Sequence, residues 1–296
     1  ATMTRMPMIF VRVRLEVDGR VHTGVASDLL PPKWFTKDPD KSVADEIQEM
    51  FEVIEDARLA AIGLRGEEVF TIWRQLYELR AMTAQARSLP PLLVNFGTSL
   101  IERAMIEAYC RAVGKSFGDV LRSGEFGIRL GDIHGELAGV SPADVLPTAP
   151  LDHFLARHTV GLADPLSDDD IPDAERLADG LPQSLEACVR RYGLRHFKIK
   201  VNGDLENDLK RLSNIAETLG KTAPADFAFS LDGNEQFKSL ADFRSFGEAV
   251  QERNSLREFL KHLIFVEQPL HRSVALEPEA KPAFEDWPDR PPIIID

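Results

Sequence analysis

The sequence predicts an α/β chain in two parts, a small α+β unit followed by a run of βα units around a parallel sheet. Three observations carry this. The opening stretch pairs one hairpin with three amphipathic helices. From about residue 147 the pattern becomes strand, helix, strand, helix. The chain is also long enough, at 296 residues with 44% hydrophobic content, for one large domain or two.

The elements follow in order. IFVRVRLEV (9–17) alternates, Asp18-Gly19 supplies a tight turn, and RVHTGVAS (20–27) returns as the second strand. LLPPKWFTKDP (29–39) reads as a loop holding Trp34 and Phe35. Residues 42–62 predict a helix with Ser42 as N-cap and Ile47, Met50, Phe51 and Ile54 at helical spacing. Further helices are expected over 66–82 and 93–113. The boundary falls near Pro147–Pro150, which gives units 1–146 and 147–296. HTVGLADPL (158–166) is then a strand, with the run Asp168–Asp170 as a solvated loop after it. A helix near 182–192, the strand HFKIKV (196–201), a helix over 204–220 ending at Gly220 and a strand opening FAFSLDGNEQF (227–237) come next. A helix over 239–261, the strand LIFVEQPL (263–270) and the strand PPIIID (291–296) complete the series.

Composition excludes several classes. A formal net charge of −13 argues against nucleic acid or an anionic membrane as the main partner. Two cysteines, Cys110 and Cys188, make neither a disulfide framework nor a zinc spacing. A reducing, cytoplasmic location is therefore expected. No apolar run approaches a membrane span, and no signal peptide is visible.

The strand faces carry the chemistry. Side chains two apart in a strand share a face. His196, Lys198 and Lys200 thus lie opposite Phe197, Ile199 and Val201. Ser230, Asp232 and Asn234 share a face, as do Phe265 with Glu267 and Ile294 with Asp296. The polar groups collect at the C-terminal ends of four successive strands, where parallel α/β folds build sites. Asp232, Glu267 and Asp296 are hard oxygen donors suited to Mg2+. A lysine beside such a cation and a second ammonium has its pKa lowered, which makes a general base. Taken singly, each residue has a plainer reading. The lysines suit a solvated strand face, Asp232 a turn before Gly233, and His196 interior packing. The ordered set reverses the balance for the lysines and carboxylates.

At FKIKVNGD, FSLDGNEQF, FVEQPL and IIID, in that order and about 30 residues apart, the chain resembles the enolase superfamily. Within it, the chain looks like the mandelate racemase/muconate lactonizing enzyme branch. The resemblance implies an α+β capping domain followed by a modified TIM barrel, of which this sequence holds about five of eight strands. It implies Asp232, Glu267 and Asp296 as ligands of Mg2+, with Mn2+ as a substitute. Lys200 becomes the acid/base, and Lys198 the cation that tunes it and meets a substrate carboxylate. Asn234 supports the ligands, and Trp34 and Phe35 belong to a lid. The implied partner is a small carboxylate-bearing substrate, and the full-length protein is expected to be a homo-oligomer. The implied reaction is removal of the proton α to a carboxylate. Its outcome is racemisation or epimerisation, cycloisomerisation, or loss of water. Asp as third ligand leans toward the muconate lactonizing subgroup and a lysine–lysine pair.

The chain departs from the family pattern in lacking the later strands and the opposing acid/base. The first capping strand is also missing. A piece of a longer protein, cut at both ends and itself inactive, is therefore expected. A stop codon directly after Asp296 in the natural reading frame speaks against that expectation. A non-catalytic metal-binding homologue and a Schiff-base TIM-barrel lyase are the alternatives; borohydride trapping and EDTA sensitivity separate the latter from metal-assisted enolisation.

Overall fold

The computed structural model describes residues 6–36, 38 and 40–295, in two compact units, 1–151 and 152–296. In the first unit, β1 (Met8–Val17) pairs antiparallel with β2 (Arg20–Leu29), Val17 facing Arg20. Asp18 and Gly19 both take positive φ (51° and 74°). That is the two-residue turn whose twist matches the strands it joins.

Three long helices follow, α1 (Val43–Ala61), α2 (Val69–Arg87) and α3 (Pro91–Val113); α3 lies on the hairpin, and α1 and α2 pack on α3. Ser42 caps α1, its hydroxyl accepting from the Asp45 amide at 3.2 Å. The short helices α4 (Phe117–Ser123) and α5 (Pro142–Val145) follow. Alternate residues of the hairpin, such as Val11 and Ala26, join Met50, Val53, Leu93 and Leu100 in the core. Phe35 packs its ring 4.6 Å from that of Phe96.

In the second unit, five strands run parallel in the order of the sequence: β3 (Arg157–Val160), β4 (His196–Lys200), β5 (Ala228–Asp232), β6 (Leu263–Glu267) and β7 (Ile293–Ile294). Helices α6 (Leu185–Tyr192), α7 (Leu205–Thr222) and α8 (Leu240–Glu252) connect the first four, and α9 (Arg272–Ala275) and α10 (Ala280–Glu285) lead to the last. A strand order that never reverses is the wall of a barrel; a doubly wound sheet would reverse. Phe197, Ile199, Phe229 and Leu231 pack outward onto Leu212, Ile215 and Leu219 of α7 and Phe243, Phe246 and Val250 of α8. Phe229 stacks on Phe259 with ring centroids 4.1 Å apart. Burial of each such side chain stabilises by about 1.5–3 kcal/mol, which fixes the polar alternate residues on the inner face.

Several boundaries differ from the sequence expectation. The first parallel strand begins at Arg157 and ends at Val160, before Gly161. Helix α7 passes Gly220 to Thr222, with Ala223 as its cap. Helix α8 stops at Glu252 because Arg253 is extended; two short 3-10 turns, Asn254–Leu256 and Phe259–His262, replace its expected end. The run Asp168–Asp170 is a capped turn, with Asp170 accepting from the Leu166 and Ser167 amides and Asp168 from the Ser184 hydroxyl.

Candidate active site

The parallel register sets the site. Lys200 lies beside Asp232, and Asp232 beside Glu267, across three adjacent strands. All three end at the same level, so their last side chains converge. Lys200 Nζ donates to Asp232 Oδ2 at 2.5 Å. Lys198 Nζ stands between the two carboxylates, 2.8 Å from Asp232 Oδ2 and 2.5 Å from Glu267 Oε1. Asp232 is 2% exposed and Glu267 7%. Buried carboxylates need such partners, since an unpaired buried charge is strongly unfavourable.

Electrostatics follow from this contact set. For Asp232, burial works to raise the pKa, but the hydrogen bonds from Lys198 and Lys200 outweigh it and hold the carboxyl below its ordinary range. For Lys198, burial works to lower the pKa, and the bonds to Asp232 and Glu267 overcome it, so the ammonium is held charged. The lowering expected from the sequence concerned Lys200, beside a divalent cation and the Lys198 ammonium; Lys198 itself shifts upward here, under the two carboxylates.

The loops beyond these strands are shaped to hold the carboxylates in place. Gly233 donates its amide to the Glu267 carbonyl at 2.9 Å, and a Cβ there would come within 2.6 Å of Pro269 Cα. Only glycine allows that approach of β5 to β6. Asn234, Glu235 and Gln268 all adopt left-handed φ (47°, 68° and 38°), a conformation that costs side-chain-bearing residues about 1–3 kcal/mol each and gathers at functional sites. The Asn234 amide donates to Asp232 Oδ1 at 2.9 Å, so its backbone orients the carboxylate. Arg272 forks onto Glu235 at 2.5 and 2.7 Å and ties the loop after β6 to the loop after β5. After Lys200, the buried carboxylate of Asp208 accepts from the amides of Asn202 (3.1 Å) and Gly203 (2.9 Å), which fixes the exit of β4.

The structure thus brings together Lys198, Lys200, Asp232, Glu267 and Asn234. Asp296 lies outside the described residues. Trp34, 62% exposed, and Phe35 belong to the first unit. Their loop is anchored at Lys33, whose amide donates to the buried Glu46 at 2.6 Å and whose ammonium donates to the Asp38 and Lys41 carbonyls at 2.8 and 2.7 Å. Among the described residues, no three His, Cys, Asp or Glu side chains stand together as a metal site. The donor set still fits a hard divalent cation. Two buried carboxylates from neighbouring strand ends lie side by side, with the ammoniums of Lys198 and Lys200 against them.

One charged group escapes the sequence reading. Arg157, placed before the expected strand, opens β3 in register with His196. Its guanidinium donates to Ser230 Oγ and to Glu267 Oε2, both at 3.1 Å. Extending the i, i+2 rule two residues back from Thr159, one residue before the expected strand, would have put it on the inner face.

No family model and no curated protein sequence matches the chain. Solved structures do share its fold. N-succinyl Arg/Lys racemase from Bacillus cereus superposes with a TM-score of 0.55 at 16% identity, over 98% of this chain and 58% of that one. A mandelate racemase/muconate lactonizing enzyme from Bordetella bronchiseptica gives 0.52 at 16% identity, over 100% and 66%. Dipeptide epimerase from Enterococcus faecalis, solved with Mg and the dipeptide L-Leu-L-Tyr, gives 0.52 at 16% identity, over 98% and 66%. The chain spans less than two thirds of the length of these structures. Its fold is that of the mandelate racemase/muconate lactonizing enzymes, a capping domain followed by part of a barrel. Among the described residues, no helix is long and apolar enough to cross a membrane.

Proposed function

We propose that this chain carries the cation seat and one acid/base of an isomerase or lyase of the mandelate racemase/muconate lactonizing type. In this reading the enzyme removes the proton α to a carboxylate. The observation that carries the reading is the pair of inward lysines, each within 2.8 Å of a buried carboxylate on the next strands. Asp232 and Glu267, with Asp296, hold Mg2+ or Mn2+. When bound, the cation supplies positive charge to the substrate carboxylate as the α-proton leaves.

The residues of the chain do the rest. Lys198 leaves the gap between Asp232 and Glu267 and turns its ammonium to the substrate carboxylate. Lys200, closer to the open end of β4, would give up its bond to Asp232 and release one proton to solvent, and as the neutral amine then take the α-carbon proton. Asn234 and Gly233 keep Asp232 from rotating during this exchange. A neighbour solved with Mg and a dipeptide supports an amino-acid-like carboxylate over other acids. A Schiff base on Lys198 is disfavoured, because an ammonium held by two carboxylates is a poor nucleophile. In this reading the chain by itself binds without turnover.

The test is binding of a hydroxamate, a mimic of the deprotonated acid, to the full chain with and without Mg2+. Mg2+-dependent binding is expected, with loss in Asp232→Asn and Lys198→Met. Binding that ignores Mg2+ and both substitutions refutes the reading. Solvent deuterium appearing at the α-carbon of a dipeptide would show that the chain turns over alone.

A further inference from the structure

Arg157 enters the inner face from β3 and reaches past β4 to the two strands beyond. Ser230, which accepts from its Nη1, is fully buried. Nη2 holds Glu267 Oε2, and Cζ stands 5.4 Å from the centre of the Phe265 ring. Three contacts from two strands therefore fix a planar guanidinium. Glu267 has its oxygens divided between two unlike cations. Oε1 meets Lys198, a flexible point charge shared with Asp232, and Oε2 meets the fixed fork of Arg157.

We infer that Arg157 is a positioning residue that leaves Glu267 only Oε1 to offer a cation when Lys198 withdraws, and thereby selects small octahedral cations over Ca2+. The inference rests on the divalent-cation reading above. Mg2+ demands near-ideal six-fold geometry with few carboxylates, whereas Ca2+ takes six to eight oxygens and often grips a carboxylate through both. With Oε2 held by Arg157, a two-oxygen grip requires breaking a charge-assisted hydrogen bond. Loss of the arginine's charge favours every divalent cation alike. The ratio of affinities between two cations therefore isolates the positioning effect from the electrostatic one.

The experiment is Ca2+ competition against Mn2+ on the full chain, with free Mn2+ followed by electron paramagnetic resonance. The wild type is expected to prefer Mn2+. In Arg157→Met that preference should fall about 10-fold, the lower end of the effect of removing a group that orients a metal ligand. Arg157→Lys should recover part of it, since an ammonium can still hold Oε2. Ser230→Ala removes one anchor of the guanidinium without touching a ligand, and should shift the ratio about 2- to 3-fold in the same direction. Its result decides the matter if Arg157→Met fails to fold. An unchanged ratio in the folded variants overturns the role of Arg157 and leaves the cation seat standing. Absence of Mn2+ binding by the wild type, or binding indifferent to Asp232→Asn and Glu267→Gln, overturns the seat and this inference together.

Discussion

Lys198→Met tests whether the inner face is held by charge. Lys198 makes two charge-assisted bonds, at 2.8 Å to Asp232 and 2.5 Å to Glu267, and its side chain is 18% exposed. Bonds of this kind contribute about 1.5–3 kcal/mol each, so the gross loss is about 3–6 kcal/mol. Two terms offset it. Asp232 keeps Lys200 and the Asn234 amide, and Glu267 keeps Arg157, so neither carboxylate is orphaned. Methionine also removes the desolvation cost of a buried ammonium. A net destabilisation of about 2–3 kcal/mol is expected. Urea unfolding read by Trp287, buried in the second unit's core, measures it once Trp34 and Trp73 are replaced by Phe. The pH dependence adds a second check. The depressed Asp232 pKa contributes stability above its ordinary 3.8 that is lost as pH falls through the folded value. The raised Lys198 pKa contributes stability below 10.5 that is lost as pH rises through the folded value. The gap between variant and wild type should be full between 3.8 and 10.5 and close on either side. A gap under about 0.5 kcal/mol inside that window, or one that persists unchanged below it, would refute an ionic role.

Gly233→Ala drives a methyl to 2.6 Å from Pro269 Cα and should destabilise by about 1–3 kcal/mol through overpacking, read as a lowered thermal midpoint. Asp208→Ala removes the acceptor of the Asn202 and Gly203 amides. At about 0.5–1.5 kcal/mol for each hydrogen bond lost, it should raise hydrogen exchange at the end of β4 before exchange rises elsewhere.

The local part of this site was legible in the chain. In HFKIKV, alternation separates Phe197 and Ile199, both 0% exposed, from Lys198 and Lys200. Alternation is a property of the extended backbone, so it needs no knowledge of the rest of the molecule. The same holds for Asp18-Gly19, whose turn chemistry is contained in two residues. The end of α8 was not legible, because helical periodicity continues past Glu252 while the backbone at Arg253 turns extended. The left-handed φ of Asn234, Glu235 and Gln268 was hidden too, being imposed by the close approach of β5 to β6 at Gly233.

By itself, the sequence determined the faces of the strands, the order of the βα units and the types of charge that gather at their ends. Only the tertiary structure decided which charge meets which. The lateral register put Asp232 beside both Lys200 and Glu267, and it let Arg157 pass over β4 to share Glu267 with Lys198. A side chain's face follows from its own strand. Its partner depends on hydrogen-bonded register between strands more than 30 residues apart and on the reach of a long side chain across them, and neither is written in local pattern.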